Sequence, residues 1–154
     1  ERRAPVILMH NRLSASVQET EALGNRYLGT PYDNLIADVL RDLRSAVERA
    51  EQAGISRERM IIDPGVGFGK TTAQNLELLN GLEQFRALGL PILLGVSNKS
   101  FIGYTLDVPQ GQRLMGTAAA NAVGIVRGAD IIRVHEVDEM AQLAKMCDAI
   151  TRNS

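Results

Sequence analysis

Residues 60–71 read Met-Ile-Ile-Asp-Pro-Gly-Val-Gly-Phe-Gly-Lys-Thr. The apolar run at 60–62 is typical of the end of a buried strand, and it leads directly into the carboxylate of Asp63 and a glycine-rich loop. Glycine adopts backbone dihedral angles that are closed to other residues, so this loop can pass close to a ligand. The segment therefore predicts a binding site at the end of a strand.

The Gly-Lys-Thr sequence at 69–71 suggests a nucleotide-binding loop, but the spacing argues against one. A P-loop requires a glycine five positions before the Gly-Lys pair, where this chain has Pro64. The Rossmann spacing also fails, because Lys70 stands where the third glycine belongs. A tight strand-to-helix turn without a ligand is the other interpretation of this segment taken alone.

The composition is that of an ordinary globular protein. The 154 residues are 45% hydrophobic and 23% charged, with a formal net charge of -1. This charge gives no broad attraction to nucleic acid or to an anionic membrane. The single cysteine, Cys147, allows no disulfide within these residues, and no apolar run has the length of a membrane span. We therefore expect a cytoplasmic protein that acts on small molecules, without nucleic-acid or membrane partners.

Four apolar runs without polar alternation predict parallel strands covered on both faces, at residues 5–9, 60–62, 91–96 and 131–134. A helical pattern follows each run. The first has an apolar stripe over 35–50 and a stop at Gly54, and the second ends near Gly89. The third runs from about 112 to 127 and is rich in alanine and glycine, which permits close packing. The fourth covers 137–150.

The order of strands and helices predicts an α/β fold built from parallel (β/α) units. Four units are half of a TIM (β/α)₈ barrel. An open flavodoxin-like sheet is the alternative fold, although it usually has a fifth strand. We expect a single partial domain over residues 1–154.

Polar side chains follow each predicted strand. They are His10 and Asn11 after the first, Asp63 after the second, Ser97 to Ser100 after the third, and Arg133 to Glu136 after the fourth. In a barrel these groups would all face one rim, where barrel enzymes place their chemistry.

The types of side chain at this rim indicate a ligand with both a donor edge and an anionic group. Asp63 can accept from adjacent N–H donors of an amidine-like or guanidine-like edge. Lys99, Arg133 and His135 can bind anions or ring carbonyls. Each of these residues also has a structural interpretation. Asp63 could accept hydrogen bonds from local amides, and Lys99 could be a solvated surface lysine. Arg133 could form an ion pair with Asp130 or Glu136, and the two histidines could be core residues. The two histidines do not have the spacing of a metal site.

The chain resembles the dihydropteroate synthase family of pterin-binding enzymes. The motifs that carry the resemblance occur in family order along the chain, and together they are specific. They are Met9-His10, Pro31-Tyr32, Asp38-Val39, the segment 63–71 with Asn75-Leu76, the segment 95–103, Gly116-Thr117-Ala118 and Arg133-Val134-His135.

This resemblance implies that 4-aminobenzoate displaces diphosphate from a dihydropterin-methyl diphosphate to give dihydropteroate. It assigns catalytic roles to Asp63 and Lys99 at the pterin and to Arg133 and His135 at the diphosphate. It further implies a substrate-binding set of Met9, Pro64, Phe68, Gly95, Ser97 and Ser100. Within this set, Met9 and Gly95 would line the pterin pocket, Pro64 and Phe68 would wall the aminobenzoate site, and Ser100 would lie near its carboxylate.

Two local sequences depart from the family pattern. Asn98 stands where the family usually has arginine, which weakens the local positive field. Asn11 and Arg12 follow His10 where a more compact loop is common, so the conformation of residues 11 to about 30 is left open.

The resemblance covers only the second half of the barrel. The missing half would carry the asparagine associated with magnesium, so Mg²⁺ is expected for the full-length enzyme and no metal site is predicted here. We expect little or no activity from this half alone and a homodimer through the small-residue helix.

Two other functions stay open at this point: a pterin-binding methyltetrahydrofolate:corrinoid methyltransferase domain, and a non-catalytic half-barrel. Phe68 and the loop from Ser97 to Ser100 favour the synthase, because only the synthase needs a benzoate pocket.

Overall fold

The computed structural model describes residues 4–12, 18–21, 23–27 and 31–152. The strands are β1 (Val6–Met9), β2 (Gln18–Glu21), β3 (Gly24–Tyr27), β4 (Met60–Asp63), β5 (Leu93–Leu94) and β6 (Ile131–Ile132). The α-helices are α1 (Leu35–Gln52), α2 (Thr72–Asn80), α3 (Ser100–Leu106), α4 (Leu114–Val126) and α5 (Val137–Thr151), and short 3₁₀ helices cover Arg57–Arg59 and Leu82–Leu88.

Four of the strands lie side by side in chain order. β1 pairs in parallel with β4, and β5 pairs in parallel with β6. A parallel bridge between Ile62 and Ile92 joins the two pairs. A flavodoxin-like sheet would place its second strand outside its first, so this unreversed order favours the barrel over the open-sheet alternative. The prediction of parallel (β/α) units is confirmed.

β5 and β6 are shorter than the runs at 91–96 and 131–134 predicted. The last hydrogen bond between them runs from the amide of Arg133 to the carbonyl of Leu94, at 2.9 Å. Beyond it, both chains turn into the loops that carry the polar residues. In the described part of the chain, β1 and β6 each pair along one edge only. Both strands therefore leave an open edge that a further strand could cover.

Helix α1 forms as its apolar stripe predicts. Asn34 caps its N-terminus by accepting a hydrogen bond from the amide of Ala37, and Asp38 lies in the first turn, where a carboxylate favours the helix dipole. The helix ends at Gln52, close to the predicted stop at Gly54. Its buried apolar side chains join the core against the sheet: Leu35, Ile36, Val39, Leu43, Val47 and Ala50.

The second helical segment is divided, whereas the sequence pattern predicted one helix to Gly89. A capping box between Thr71 and Gln74 starts α2, which ends before Gly81. The 3₁₀ helix then continues to Gly89, whose backbone is left-handed. Its buried residues, Leu82, Phe85 and Leu88, recur every third position. That spacing matches a 3₁₀ helix rather than an α-helix, which explains the change.

Helix α4 uses its small residues to approach the sheet, as predicted. A Cβ atom added at Gly124 would lie 2.1 Å from Cδ2 of Leu94 on β5, and one at Gly116 would lie 2.3 Å from Cγ2 of Ile102 on α3. Helix α3 was not predicted from the sequence; it begins at Ser100 inside the polar loop and buries Phe101 and Ile102. Within the described ranges, none of the helices combines the length and the apolar character needed to cross a bilayer.

The segment left open by the sequence contains an antiparallel hairpin. β2 and β3 pair from Gln18 with Tyr27 to Glu21 with Gly24. Residues 13–17, 22 and 28–30 of this segment lie outside the described residues. The hairpin follows β1 and precedes α1, so it stands at the same rim as the polar loops.

The packing of α4 on β5 predicts a large cost for filling Gly124. We expect Gly124→Val to lower the free energy of unfolding by about 2 kcal/mol or more, because the added methyl groups would overlap Leu94 in a closed core. Urea denaturation measures this change. Ala119→Val, at an exposed position of the same helix, is the matched control for the lower helix propensity of valine. Equal losses in the two variants would contradict this packing.

Candidate functional site

The carboxyl ends of the four parallel strands meet at one rim. Met9 pairs in register with Asp63. Gly95 and Arg133 follow the last paired residues of β5 and β6, and a Cβ atom added at Gly95 would lie 3.9 Å from Cβ of Arg133 and 4.0 Å from Nζ of Lys99. The structure therefore brings Met9, Asp63, Gly95, Lys99 and Arg133 to one place.

Two glycines let the loop after β4 pass close to its neighbours. Gly65 has φ +73°, and a Cβ atom there would lie 1.9 Å from the carbonyl oxygen of His10. Gly67 has φ +82°, and its Cβ would lie 2.5 Å from Cδ of Lys99. A side chain at either position would push apart the end of β1 or the side chain of Lys99.

Asp63 is buried at the base of this loop, and one of its oxygens is committed to it. Oδ1 accepts a hydrogen bond from the amide of Gly65 at 2.8 Å. Oδ2 has no hydrogen-bond partner among the described residues. Burial raises the pKa of Asp63, while the Gly65 bond and the charges of Lys99, Lys70 and Arg133 oppose that rise. The arrangement offers one carboxylate oxygen to a ligand donor.

Lys99 reaches across the rim to the same loop. Its ammonium donates to the carbonyl of Val66 and lies 4.4 Å from the centroid of the Phe68 ring, a cation–π distance. Burial lowers the pKa of Lys99 to about 8, with Asp63 opposing and Arg133 adding to the shift. Lys99, Asp63 and Phe68 are thus held around one space, and Pro64 is buried beside them.

Lys70 supports the loop from below and was not among the predicted site residues. It is 1% exposed, and its ammonium donates to the carbonyls of Gly65 at 2.9 Å and Phe68 at 3.1 Å. Burial lowers its pKa to about 8. In the sequence, Lys70 differs from its surroundings only as the single charged residue of the stretch 64–76. Because the spacing excluded a P-loop, no role was predicted for it.

His10 continues this network towards α1. Its Nδ1 lies 3.1 Å from Nζ of Lys70, and its Nε2 lies 3.2 Å from Oδ2 of Asp42. Arg12 donates from Nε to the same Asp42 oxygen at 2.7 Å. Burial, together with the charge of Lys70, lowers the pKa of His10 to about 4, while Asp42 opposes the shift. The neutral ring therefore accepts from Lys70 and donates to Asp42.

Asn75 fixes the loop from its other side. Its Oδ1 accepts from the amide of Gly67 at 2.6 Å, and its Nδ2 donates to the carbonyls of Lys70 and Thr71. The side chain is 2% exposed, and its three bonds replace contacts with water. Lys70 and Asn75 together hold the glycine loop in one conformation.

His135 is oriented by Ser97 rather than left free in the loop. Its Nδ1 lies 2.8 Å from Oγ of Ser97, which also accepts from the backbone amide of His135 at 3.2 Å. Ser97 is 5% exposed. Glu136 accepts from Nδ2 of Asn98 at 2.9 Å, and this bond lowers the pKa of Glu136. Asn98 therefore joins the Lys99 loop to the end of the fourth unit.

Arg133 is exposed at the rim and makes no salt bridge with a carboxylate of the described residues. The suggested pairing with Asp130 or Glu136 is absent among those residues, since Asp130 accepts from the amide of Ile92 and Glu136 from Asn98. An exposed guanidinium beside His135 is well placed to bind an anion.

A polar cavity of about 270 Å³ opens between the glycine loop and the start of α3. It is lined by Gly24, Gly67, Asn98, Lys99, Ser100, Gln110 and Arg113. Ser100 faces it from the first position of α3. Of the predicted residues, Lys99 and Ser100 line this cavity. Phe68 contacts the Lys99 ammonium, and Asp63 is close enough for its charge to act on Lys99. Arg133 and His135 follow β6, in the fourth unit.

The fold and the site together define the class of this chain: it belongs to the pterin-binding enzyme family. A family model described as "Pterin binding enzyme" matches residues 1–135. The chain is similar to the dihydropteroate synthase of Clostridium beijerinckii, with 45% identity over 149 residues that make up 96% of this chain and 50% of that protein.

Two solved structures carry the same similarity. A dihydropteroate synthase from Coxiella burnetii in complex with pteroic acid has 38% identity and a TM-score of 0.83, covering 97% of this chain and 53% of its own. The Xanthomonas albilineans dihydropteroate synthase with 4-aminobenzoic acid has 36% identity and a TM-score of 0.85, covering 99% and 51%. The chain thus spans about half the length of these proteins, and its fold is half of their barrel.

The neutral state of His10 predicts a loss of stability in mild acid. The unfolded histidine binds a proton below its ordinary pKa of 6.5, whereas the native one binds it only near 4, beside the Lys70 ammonium. Stability should therefore fall as the pH is lowered from 6.5 to 4, by up to about 3 kcal/mol from this residue. Urea denaturation at several pH values measures the slope.

His10→Gln should remove most of this slope, because a glutamine amide can accept from Lys70 and donate to Asp42 without titrating. His135→Gln, at the exposed histidine, is the matched control and should keep it. A slope that persists in His10→Gln would show that other groups cause the acid sensitivity.

Proposed function

We propose that the chain is the C-terminal half of a dihydropteroate synthase, which joins 4-aminobenzoate to a dihydropterin-methyl diphosphate and releases diphosphate. The observation that carries this proposal is the free Oδ2 oxygen of buried Asp63 beside Lys99, with Arg133 exposed at the same rim. The names of the relatives and the ligands in the two solved structures support it.

Asp63 and Lys99 are proposed to hold the pterin. The free oxygen of Asp63 would accept from an N–H group of the pterin edge, while its bond to Gly65 keeps the carboxylate oriented. Lys99 would donate to the ring carbonyl or the neighbouring nitrogen. Met9 and Gly95, on the same face of the strands, would line the pocket around the ring.

The aminobenzoate is proposed to lie between the glycine loop and α3. Phe68 and Pro64 would wall the aromatic ring, and Ser100 would lie near the carboxylate of this substrate. The Lys99 ammonium over the Phe68 ring already places a positive charge close to this position. Because the cavity is polar at its Lys99–Ser100 end, it suits an aromatic ring that carries an anionic group.

Arg133 and His135 are proposed to hold the diphosphate, and Ser97 would act by fixing the ring of His135. In the reaction the amine nitrogen forms a bond to the methylene carbon while the bond from that carbon to the diphosphate oxygen breaks. The diphosphate leaves with the electron pair, and the amine releases its proton. Positive charge grows on carbon and negative charge on oxygen, so positioning and charge stabilisation supply the catalysis.

Magnesium is the cofactor that we expect for the full-length enzyme. Among the residues that the structure describes, no three His, Cys, Asp or Glu side chains lie together as a metal-binding group. Asp63 is held by Gly65, and Glu136 by Asn98. With Asp63 proposed for the pterin, we assign no residue of this half to magnesium and expect its protein ligand in the other half of the barrel.

The remaining expectations concern the assembly. Half of a barrel lacks the residues of the other four units, so we propose that this half alone has little or no synthase activity. A homodimer through α4 and a cytoplasmic location stay predictions, and sedimentation of the full-length protein checks the first. The relatives named above are synthases, and no observation favours the corrinoid methyltransferase.

The role of Asp63 predicts a selective loss of pterin binding in Asp63→Asn. Loss of a charge-assisted hydrogen bond should weaken pterin affinity by about 10- to 100-fold. Calorimetric titration of the full-length protein with a dihydropterin diphosphate, then with 4-aminobenzoate, measures both steps. Asp107→Asn is the matched control, since Asp107 has a left-handed backbone that asparagine also adopts. Tight pterin binding with no response to aminobenzoate would contradict the synthase.

The role of Arg133 predicts a different pattern in Arg133→Met. Affinity for the dihydropterin diphosphate should fall by tenfold or more, while affinity for the dihydropterin alcohol without diphosphate should be unchanged, because Arg133 would contact only the anion. Parallel calorimetric titrations with the two ligands measure the difference. Arg44→Met, on the exposed face of α1, is the control. Equal losses for both ligands would assign a structural role to Arg133.

A further inference from the structure

The hairpin of β2 and β3 is attached to the Lys99 loop by a single buried arginine. Arg113, just before α4, is 3% exposed. Its Nη2 donates to the carbonyl of Leu23 at 2.8 Å, and its Nη1 donates to the carbonyl of Asn98 at 2.9 Å. One guanidinium therefore links the hairpin turn to the residue that precedes Lys99.

Among the described residues, every hydrogen bond of this arginine goes to a main-chain carbonyl. Nε also lies 3.5 Å from the carbonyl of Val108, and Arg113 forms no salt bridge among the described residues. A buried guanidinium without a counter-ion is costly, so its donors must be well satisfied. Because the guanidinium is planar and rigid, it fixes the distance and angle between the carbonyls that it joins.

A second contact places the hairpin turn against α3. The hydroxyl of Tyr104 donates to the carbonyl of Gly24 at 2.9 Å. A Cβ atom built at Gly24 would lie 3.3 Å from Cβ of Ser100, so the two backbones are in close contact. The turn is thus held at two successive carbonyls, Leu23 and Gly24.

This position makes the hairpin turn one wall of the polar cavity. Gly24 lines the cavity of about 270 Å³ opposite Gly67, together with Lys99, Ser100 and Arg113. The hairpin follows β1 in sequence and yet contributes to the space between the second and third units. It is therefore placed to limit what can enter beside Lys99.

We propose that Arg113 is a positioning residue that holds the hairpin turn and the Lys99–Ser100 loop in a fixed relation, and that the turn limits the size of the amine substrate. The second statement rests on the proposed synthase function. The first concerns only the conformation of this chain, so the two can be tested separately.

The conformational part is tested by hydrogen–deuterium exchange of the full-length protein. Arg113→Met should raise exchange at least tenfold in peptides covering 18–27 and 97–100, while peptides of α1 keep their protection. Tyr104→Phe removes one donor to the hairpin and should raise exchange in 18–27 alone. Arg127→Met, which loses surface bonds to Glu83 and Asn80, is the matched control. Unchanged exchange in Arg113→Met, or an equal rise in α1, overturns the proposal.

Lysine acylation gives a second readout that does not need activity, and it uses the conservative variant Arg113→Lys in place of Arg113→Met. Lys99 is half-buried, and Lys145 on the exposed face of α5 is its internal reference. In Tyr104→Phe the rate at Lys99 relative to Lys145 should be unchanged, and in Arg113→Lys it should rise severalfold, because an ammonium cannot join two carbonyls in the same fork. Equal ratios in all variants count against a positioning role.

The substrate part is tested by steady-state kinetics. Arg113→Met should raise the KM for 4-aminobenzoate about tenfold with a smaller change in kcat, since the reacting groups stay in place once bound. Replacing 18–27 by a short glycine linker should raise kcat/KM for ring-substituted aminobenzoates relative to 4-aminobenzoate. If hydrogen–deuterium exchange gives the expected result but the preference for 4-aminobenzoate over its ring-substituted forms does not change, the turn does not limit the size of the substrate. If no variant or wild-type protein makes dihydropteroate, the proposed function fails instead.

Discussion

The site depends on one buried cation. The ammonium of Lys70 has almost no contact with water, and burying such a charge is costly unless acceptors surround it. The carbonyls of Gly65 and Phe68 and the ring of His10 supply those acceptors, and the carboxylate of Asp63 lies close enough to favour the charge. The glycine loop closes around Lys70, and this closed form sets the direction of Asp63.

Other parts of the rim follow from that loop. Val66 offers its carbonyl to Lys99, and Phe68 offers its ring face, so the position of the third unit is matched to the second. His10 contacts both Lys70 and Asp42, so it connects the glycine loop to α1. Arg133 at the fourth unit is less constrained, since its side chain is exposed. Among the described residues of the rim, the surroundings of Asp63 and Lys99 are therefore the most constrained and those of Arg133 the least.

Sequence pattern predicted the units well because strand burial and helix stripes are local properties. Asp63, Lys99 and Arg133 could be placed on one rim from the sequence because each lies at or shortly after the end of an apolar run. Lys70 and Arg113 were missed because they bind backbone carbonyls that only folding brings near them. Every residue has a carbonyl, so the sequence does not show which ones a side chain will bind. The three-residue spacing of Leu82, Phe85 and Leu88 indicates a 3₁₀ helix. It was not recognised because the α-helical period, about 3.6 residues, is less than one residue longer. The hairpin had too little apolar alternation to predict strands.

Arg113 holds the hairpin by a hydrogen bond to the main-chain carbonyl of Leu23, a group that every amino acid has. The attachment therefore does not depend on the side chain of Leu23, whereas Gly24, with φ +98° and Ser100 close by, favours glycine. Substitutions there could accumulate without detaching the hairpin, provided that the path of the backbone is kept. Side chains of the hairpin that do not touch its neighbours can therefore change without moving the Lys99 loop, because Arg113 holds only the backbone of the turn. Under the proposed function, such an arrangement would separate the segment that limits the substrate from the residues that hold the pterin.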